Sequence, residues 1–122
     1  MVTITEDYIS FETAKLLKDK GFDNISSIMY KENGEICINP KSVSSWRLKY
    51  WYPCLTHQMA MKWLREVHNL YIDIRININN SLYSFKIYSV GVSGARAFTE
   101  YRIKSYEIAC EEAIKYCLEN LI

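Results

Sequence analysis

The chain has 122 residues, of which 49% are hydrophobic and 24% are charged. This composition indicates a globular domain of ordinary size with one core, and it excludes disordered and fibrous proteins. Fifteen Lys and Arg residues against fourteen Asp and Glu residues leave a formal charge of +1. No overall field therefore draws the protein onto nucleic acid or anionic lipid, and such binding would need a local patch.

A membrane location is not expected from the distribution of apolar residues. The longest apolar stretches are far shorter than the ~20 residues that a membrane-spanning helix needs. The segment Met1–Asp7 has no basic stretch followed by an apolar one. We therefore expect a cytoplasmic protein that is neither secreted nor bound to a membrane.

The first predicted element is a helix over Phe11–Lys20. Ser10 is suited to cap its start, and Gly21 supplies the left-handed residue that ends it. The apolar positions on one side of this helix are Ala14, Leu16 and Leu17.

A hairpin is predicted next, with a three-residue loop at Glu32–Gly34. This loop places Lys31 opposite Glu35, whereas a two-residue Asn33-Gly34 loop would mix polar and apolar side chains on both faces. The chosen register puts Ile28, Tyr30, Ile36 and Ile38 on one face.

The segment Pro40–Pro53 shows no clean period, and a second helix follows it. Thr56 can cap this helix, which we expect to run to His68 and to end at Asn69. Its predicted inner face consists of Met59, Ala60, Trp63, Leu64 and Val67.

A second hairpin is predicted from the strict alternation over Tyr71–Ile78 and a turn at Asn79-Asn80. The expected cross-strand pairs are Ile72 with Ile87, Ile74 with Phe85, Ile76 with Tyr83, and Asp73 with Lys86. One face would then be dry, and the other would carry Tyr71, Asp73, Arg75, Lys86 and Tyr88 in water.

The chain is predicted to end with a bend, a strand and a helix. The bend lies at Gly91–Ala97, and the weaker alternation over Phe98–Ile103 indicates a third strand. Ser105 caps the last helix. Its apolar stripe comprises Tyr106, Ala109, Cys110, Ala113, Ile114, Cys117, Leu118 and Leu121.

The element order α-β-β-α-β-β-(β)-α predicts an α+β fold. We expect one antiparallel sheet of four or five strands with three helices packed mostly on one face. Residues 1–122 are interpreted as a single domain without an internal repeat.

Three stretches resemble a group of uncharacterised small proteins of phages and mobile elements of gut Bacteroides. They are Asp7–Phe22, Met59–Asn69 and Ser105–Leu121. The group's usual Pro-Thr-Gln before the second helix is replaced here by Leu55-Thr56-His57-Gln58, which keeps the cap. The resemblance implies an origin in a phage or integrated element and an accessory role inside a bacterial cell. It implies no chemistry, because the matching residues are caps and core positions.

No constellation of residues predicts catalysis or metal binding. His57 and His68 are eleven residues apart on one helix, about 16 Å along its axis, and cannot share a metal ion. Cys54 precedes a helix and lies three residues from His57, which suggests a nucleophile pair, but no third group orients it. We prefer a structural role for Cys54, expect no metal or cofactor, and expect no enzymatic activity.

The four cysteines show no disulfide framework. The spacing is not typical of a disulfide-bonded domain, and a core of this size needs no disulfide bonds for stability. The cysteines are Cys37, Cys54, Cys110 and Cys117. Cys110 and Cys117 lie on the apolar stripe of the last helix. We interpret both as small buried hydrophobic residues.

Two segments could form binding sites. Gly91 and Gly94 with Arg96 could present donors to a phosphate, but a hairpin bend is the preferred explanation, because a phosphate loop normally opens a helix and a strand is expected here. The segment 46–52 interleaves rings with cations, which suits nucleotides, single-stranded nucleic acid or a protein partner. It could also be an ordered loop that covers the core with its rings. Its candidate residues are Trp46, Arg47, Lys49, Tyr50, Trp51 and Tyr52.

The sequence thus predicts a non-catalytic binding module that acts on a host or viral protein. Its candidate surface is the segment 46–52 together with the wet face of the second hairpin. The alternative is a binder of nucleic acid or a signalling nucleotide, for example a counter-defence protein. Leu121-Ile122 also leave apolar surface near a terminus, which suggests a homodimer.

Overall fold

The computed structural model describes residues 4–40 and 43–122. Its fold is α+β, as predicted, and within these ranges it has four helices and two antiparallel three-stranded sheets. The chain divides into two compact units, Met1–Thr56 and His57–Ile122, and each contains one of the sheets. The expectation of one sheet of four or five strands with three helices is wrong in these details. The irregular segment after Pro40 forms a short helix and a strand that completes the first sheet, which its pattern did not indicate.

The first unit is built around a central strand. Its elements are α1 (Phe11–Asp19), β1 (Ile28–Tyr30), β2 (Ile36–Ile38), α2 (Ser45–Leu48) and β3 (Tyr52–Pro53). Strand β1 lies between β2 and β3 and is antiparallel to both.

The predicted cap and end of α1 are confirmed. The Ser10 hydroxyl accepts a hydrogen bond from the Thr13 N–H at 3.2 Å. Gly21 has φ = 109°, and the Phe22 N–H donates to the Leu17 carbonyl at 3.2 Å. This left-handed closure satisfies carbonyls that the end of the helix would leave unpaired.

The predicted register of the first hairpin is confirmed. The Lys31 N–H donates to the Glu35 carbonyl at 2.7 Å, and Tyr30 lies opposite Ile36. Gly34 has φ = 89° in the loop. The shared apolar face is only partly covered, because Tyr30 is buried whereas Ile36 and Ile38 on the outer strand are exposed.

The second unit is a hairpin with two helices on one face. Its elements are α3 (His57–His68), β4 (Leu70–Asn77), β5 (Leu82–Ser89), β6 (Ala97–Phe98), α4 (Tyr106–Tyr116) and a π-helical extension (Cys117–Leu121). Asn69 ends α3 with φ = 55°, and the Ser105 hydroxyl accepts from the Ile108 N–H at 3.1 Å to cap α4.

All four predicted pairs of β4 with β5 are confirmed. Ile72 lies opposite Ile87, Ile74 opposite Phe85, Ile76 opposite Tyr83, and Asp73 opposite Lys86. The connection is looser than the predicted two-residue turn, since the strands stop at Asn77 and Leu82. Ser81 takes φ = 60°, and the Asn77 carbonyl accepts from its N–H at 2.8 Å.

The third strand is shorter than predicted. Phe98 in β6 lies opposite Lys86, and pairing resumes only at Ile103, opposite Tyr83. The six residues from Phe98 to Ile103 thus face the four from Tyr83 to Lys86, so two extra residues bulge out of this edge.

The buried face of α3 differs from the predicted one. Met59 and Val67 are exposed, whereas His57, Ala60, Met61 and Leu64 are buried. The pattern of apolar residues could not include His57, whose Nε2 is hydrogen-bonded to Glu111 Oε1 at 2.9 Å. The buried side of α3 thus includes His57 and Met61 in place of Met59 and Val67.

We expect the Ser10 cap to stabilise the first unit. Replacing Ser10 with Ala removes the acceptor for the Thr13 N–H and should lower the free energy of unfolding by about 1 kcal/mol. Ser44→Ala is the matched control, because Ser44 precedes α2 but makes no side-chain capping bond. Urea denaturation followed by circular dichroism measures both, and equal losses in the two variants would contradict this role.

Candidate functional site

The aromatic and basic segment 46–52 is fixed to α1 by one lysine. The Lys18 ammonium donates to the carbonyl of Lys49 and, at 2.7 Å, to the carbonyl of Trp51. The same ammonium lies 5.2 Å from the centroid of the Tyr52 ring. Burial lowers the pKa of Lys18. This contact satisfies carbonyls just beyond α2 and holds the following strand against α1.

The segment is divided between core and surface. The side chain of Trp51 is 5% exposed, and the Tyr52 ring packs edge-on against Phe11 with centroids 5.6 Å apart. Trp46 and Tyr50, in contrast, are 64% and 52% exposed. Two rings of the segment therefore cover the core and two face outward, and binding by the outward pair stays a prediction.

The outward part combines rings with cations. The Arg47 guanidinium lies 5.4 Å from the centroid of the exposed Trp46 ring. Lys49 and Tyr50 line an open groove of about 540 Å³ beside α1. The groove is also lined by Glu12, Lys15, Leu16, Lys18, Asp19 and Tyr52. Its two carboxylates offset much of the positive charge.

A second candidate surface is one face of the sheet in the second unit. Its residues share the side of the strands that points away from α4, whose Tyr106 and Tyr116 contact Tyr83 and Phe85 on the other side. We call it the open sheet face; it comprises Tyr71, Asp73, Arg75, Lys86, Tyr88 and Phe98.

The open sheet face combines rings with an ion pair. Arg75 Nε donates to Asp73 Oδ2 at 2.7 Å, and this hydrogen bond, with the charge of Asp73, raises the pKa of Arg75. Phe98 is 71% exposed beside Lys86. The sequence predicted every member except Phe98, and the strand predicted to begin at Phe98 could have placed that ring beside Lys86.

The glycine-containing segment forms the bend between β5 and β6. Gly91 and Gly94 have φ = 82° and 79°. The Arg96 N–H donates to the Ile87 carbonyl at 2.6 Å, and its guanidinium donates to the Ser89 hydroxyl at 2.8 Å. The donors of Arg96 thus serve the bend, and phosphate binding by this loop stays a prediction.

The residues considered for nucleophilic chemistry have structural contacts. Cys54 is buried, and burial raises the pKa of its thiol, against a smaller opposing effect of a contact with Tyr30. The His57 ring is engaged with Glu111. All four cysteines are free thiols, and no group of three or more His, Cys, Asp or Glu side chains among the described residues could hold a metal ion.

Comparisons with known proteins identify no relative of this chain. A scan against protein-family models, a search of curated proteins and a search of solved structures each find no match. Among residues 4–40 and 43–122, no helix has the length and apolarity to cross a membrane.

The division of segment 46–52 predicts that its two tryptophans contribute very differently to the free energy of unfolding. Trp51→Ala removes a core ring and should lower the free energy of unfolding by about 3 kcal/mol or more. Trp46→Ala removes an exposed ring and should change stability by less than about 0.5 kcal/mol. Urea denaturation measures both values. Similar losses would mean that Trp46 also belongs to the core.

Burial predicts which thiols react. Cys117 is fully buried and burial raises its pKa to about 12, and the pKa of buried Cys54 is also raised. At pH 8 both thiols should label slowly with iodoacetamide, because the thiolate is the reactive form. Partly exposed Cys37 should label first. Mass spectrometry of Cys37→Ser and Cys54→Ser identifies the thiol that labels first. Fast labelling that disappears in Cys54→Ser would contradict this order.

Proposed function

We propose that the protein is a non-catalytic binding module that acts on a host or viral protein through the open sheet face. The observation that carries this proposal is the grouping of Tyr71, Tyr88 and Phe98 with three charged side chains on one side of paired strands. Aromatic rings provide large contact areas, and tyrosine and arginine are enriched among residues that dominate protein interfaces.

The charge of the open sheet face supports a protein target over a polyanion. Arg75 is paired with Asp73, and Lys86 makes no ion pair with the residues that the structure describes. A phosphate backbone is bound mainly through several uncompensated cations. A mixed, nearly neutral face instead suits a surface of complementary shape with a few oriented polar groups.

The biological setting comes from the sequence. The resemblance to small phage and mobile-element proteins implies an accessory role in the bacterial cytoplasm, so the target is a protein of the host cell or of the element. The raised pKa of Cys54 favours a packing role for that thiol over a catalytic one.

A second candidate function is the binding of nucleic acid or a signalling nucleotide in the first unit. The stacking of Arg47 on the exposed Trp46 ring, with Lys49 nearby, favours it. A base can stack on such a ring while the cations contact phosphate.

Quantitative affinity capture from a Bacteroides host lysate tests the proposal. We expect a protein that binds the wild type and loses about tenfold or more in affinity with Phe98→Ala, because this change removes an exposed anchor. The matched control is Trp46→Ala, an equally exposed ring in the first unit. The capture is repeated at roughly 50 and 500 mM NaCl, because phosphate contacts weaken steeply with salt and aromatic contacts do not. The same protein should be retained at both concentrations.

Two results would contradict the proposal. Equal capture by the wild type and Phe98→Ala would exclude the open sheet face as the binding surface. Copurified nucleotide or nucleic acid that is lost with Trp46→Ala and at high salt would support the second candidate instead.

A further inference from the structure

Strand β2 is an uncovered edge of the first sheet. The order of strands is β2-β1-β3, so within residues 4–40 and 43–122 β2 has a strand partner on one side only. The Lys31 N–H donates to the Glu35 carbonyl and the Asn39 N–H to the Ser27 carbonyl, which shows that positions 35 and 39 direct their backbone groups toward β1. Because these groups alternate along a strand, Ile36 and Ile38 direct theirs outward.

The outward groups of β2 lack a strand partner among the described residues. The Ile38 carbonyl has a contact with the Cys37 thiol at 3.9 Å, which a strand hydrogen bond could replace. Ile36 and Ile38 are 56% and 67% exposed. Proteins normally protect such an edge with lysine, proline or a bulge, and β2 itself contains none of these.

We propose that β2 pairs antiparallel with β2 of a second copy of this chain, around a two-fold axis at Cys37. Ile36 then lies opposite Ile38 of the partner subunit, and Cys37 lies opposite Cys37 of the partner subunit. The two sheets become one sheet of six strands. This proposal does not depend on the proposed function, which concerns other residues.

Hydrogen bonding and charge select this register. Antiparallel pairing requires outward residues to oppose outward residues, and Ile36 opposite Ile38 of the partner subunit is the arrangement that pairs all three residues of β2. A shift toward Pro40 would place a residue without an N–H in the ladder. Glu35 here faces Asn39 of the partner subunit, whereas a parallel arrangement would set Glu35 beside Glu35 of the partner subunit.

The proposed pairing predicts a weak dimer and places one cysteine where it can report the contact. Three paired residues bury little area, so we expect a weak and reversible dimer. Cys37 would occupy a non-hydrogen-bonded pair, in which the two Cα atoms are about 4.5 Å apart, within the range that a disulfide spans. Cys37 is the one cysteine that is not buried.

Disulfide trapping of the intact chain tests the proposal. Diamide takes two hydrogens from two thiols, which leaves one disulfide and the hydrazine form of the reagent. We expect a covalent dimer joined at Cys37, seen by non-reducing electrophoresis and peptide mapping. Cys37→Ser should abolish the covalent dimer but retain the reversible dimer in sedimentation velocity.

Matched variants locate the interface. Ile38→Lys and Ile36→Lys each place a charge on the edge and should lower trapping and association about tenfold. Ile78→Lys makes the same chemical change at a side chain that is 86% exposed in the other unit. This variant should form as much covalent dimer as the wild type. Circular dichroism confirms that each variant is folded.

Three outcomes would overturn the proposal. They are a wild-type chain that stays monomeric and untrapped, a dimer that both edge variants retain, and a dimer that Ile78→Lys disrupts equally.

Discussion

The two-residue alternation of side chains along extended strands decides which side chains share a face in both sheets. In the second unit it directs Ile74, Phe85 and Ile87 to the helix side and leaves Asp73 and Lys86 on the other. In the first unit it gives the central strand β1 two buried faces, while the outer strand β2 retains exposed isoleucines. The open sheet face and the exposed isoleucines of β2 therefore follow from strand register.

The segment 46–52 obeys a different constraint, because it has no regular period. Its conformation depends on Lys18, whose ammonium satisfies two backbone carbonyls in a partly buried position. Desolvating the ammonium is costly, but both of these carbonyls gain a hydrogen bond. Once the backbone is held in this way, Trp51 and Tyr52 pack against the first unit, and Trp46 and Tyr50 are left outside.

Local signals in the sequence predicted the Ser10 and Ser105 caps and both hairpin registers, because these serines and Gly34 act on neighbouring residues. Non-local contacts could not be read in this way. The addition of β3 to the first sheet depends on pairing with β1, far away in the chain. His57, which is buried on α3, is hydrogen-bonded to Glu111, 54 residues away in the chain. For the same reason the division of segment 46–52 was not predictable, whereas the open sheet face followed from the confirmed β4 and β5 register.

The two proposed interfaces use different chemistry and different residues. The open sheet face would bind through rings and charged side chains, whereas the β2 edge would bind through backbone groups flanked by isoleucines. A dimer formed at β2 presents the open sheet face twice. A target with repeated sites of matching spacing would then be held with avidity, and a target with one site would gain nothing. The oligomeric state of the protein thus bears on which class of target it can retain at low concentration.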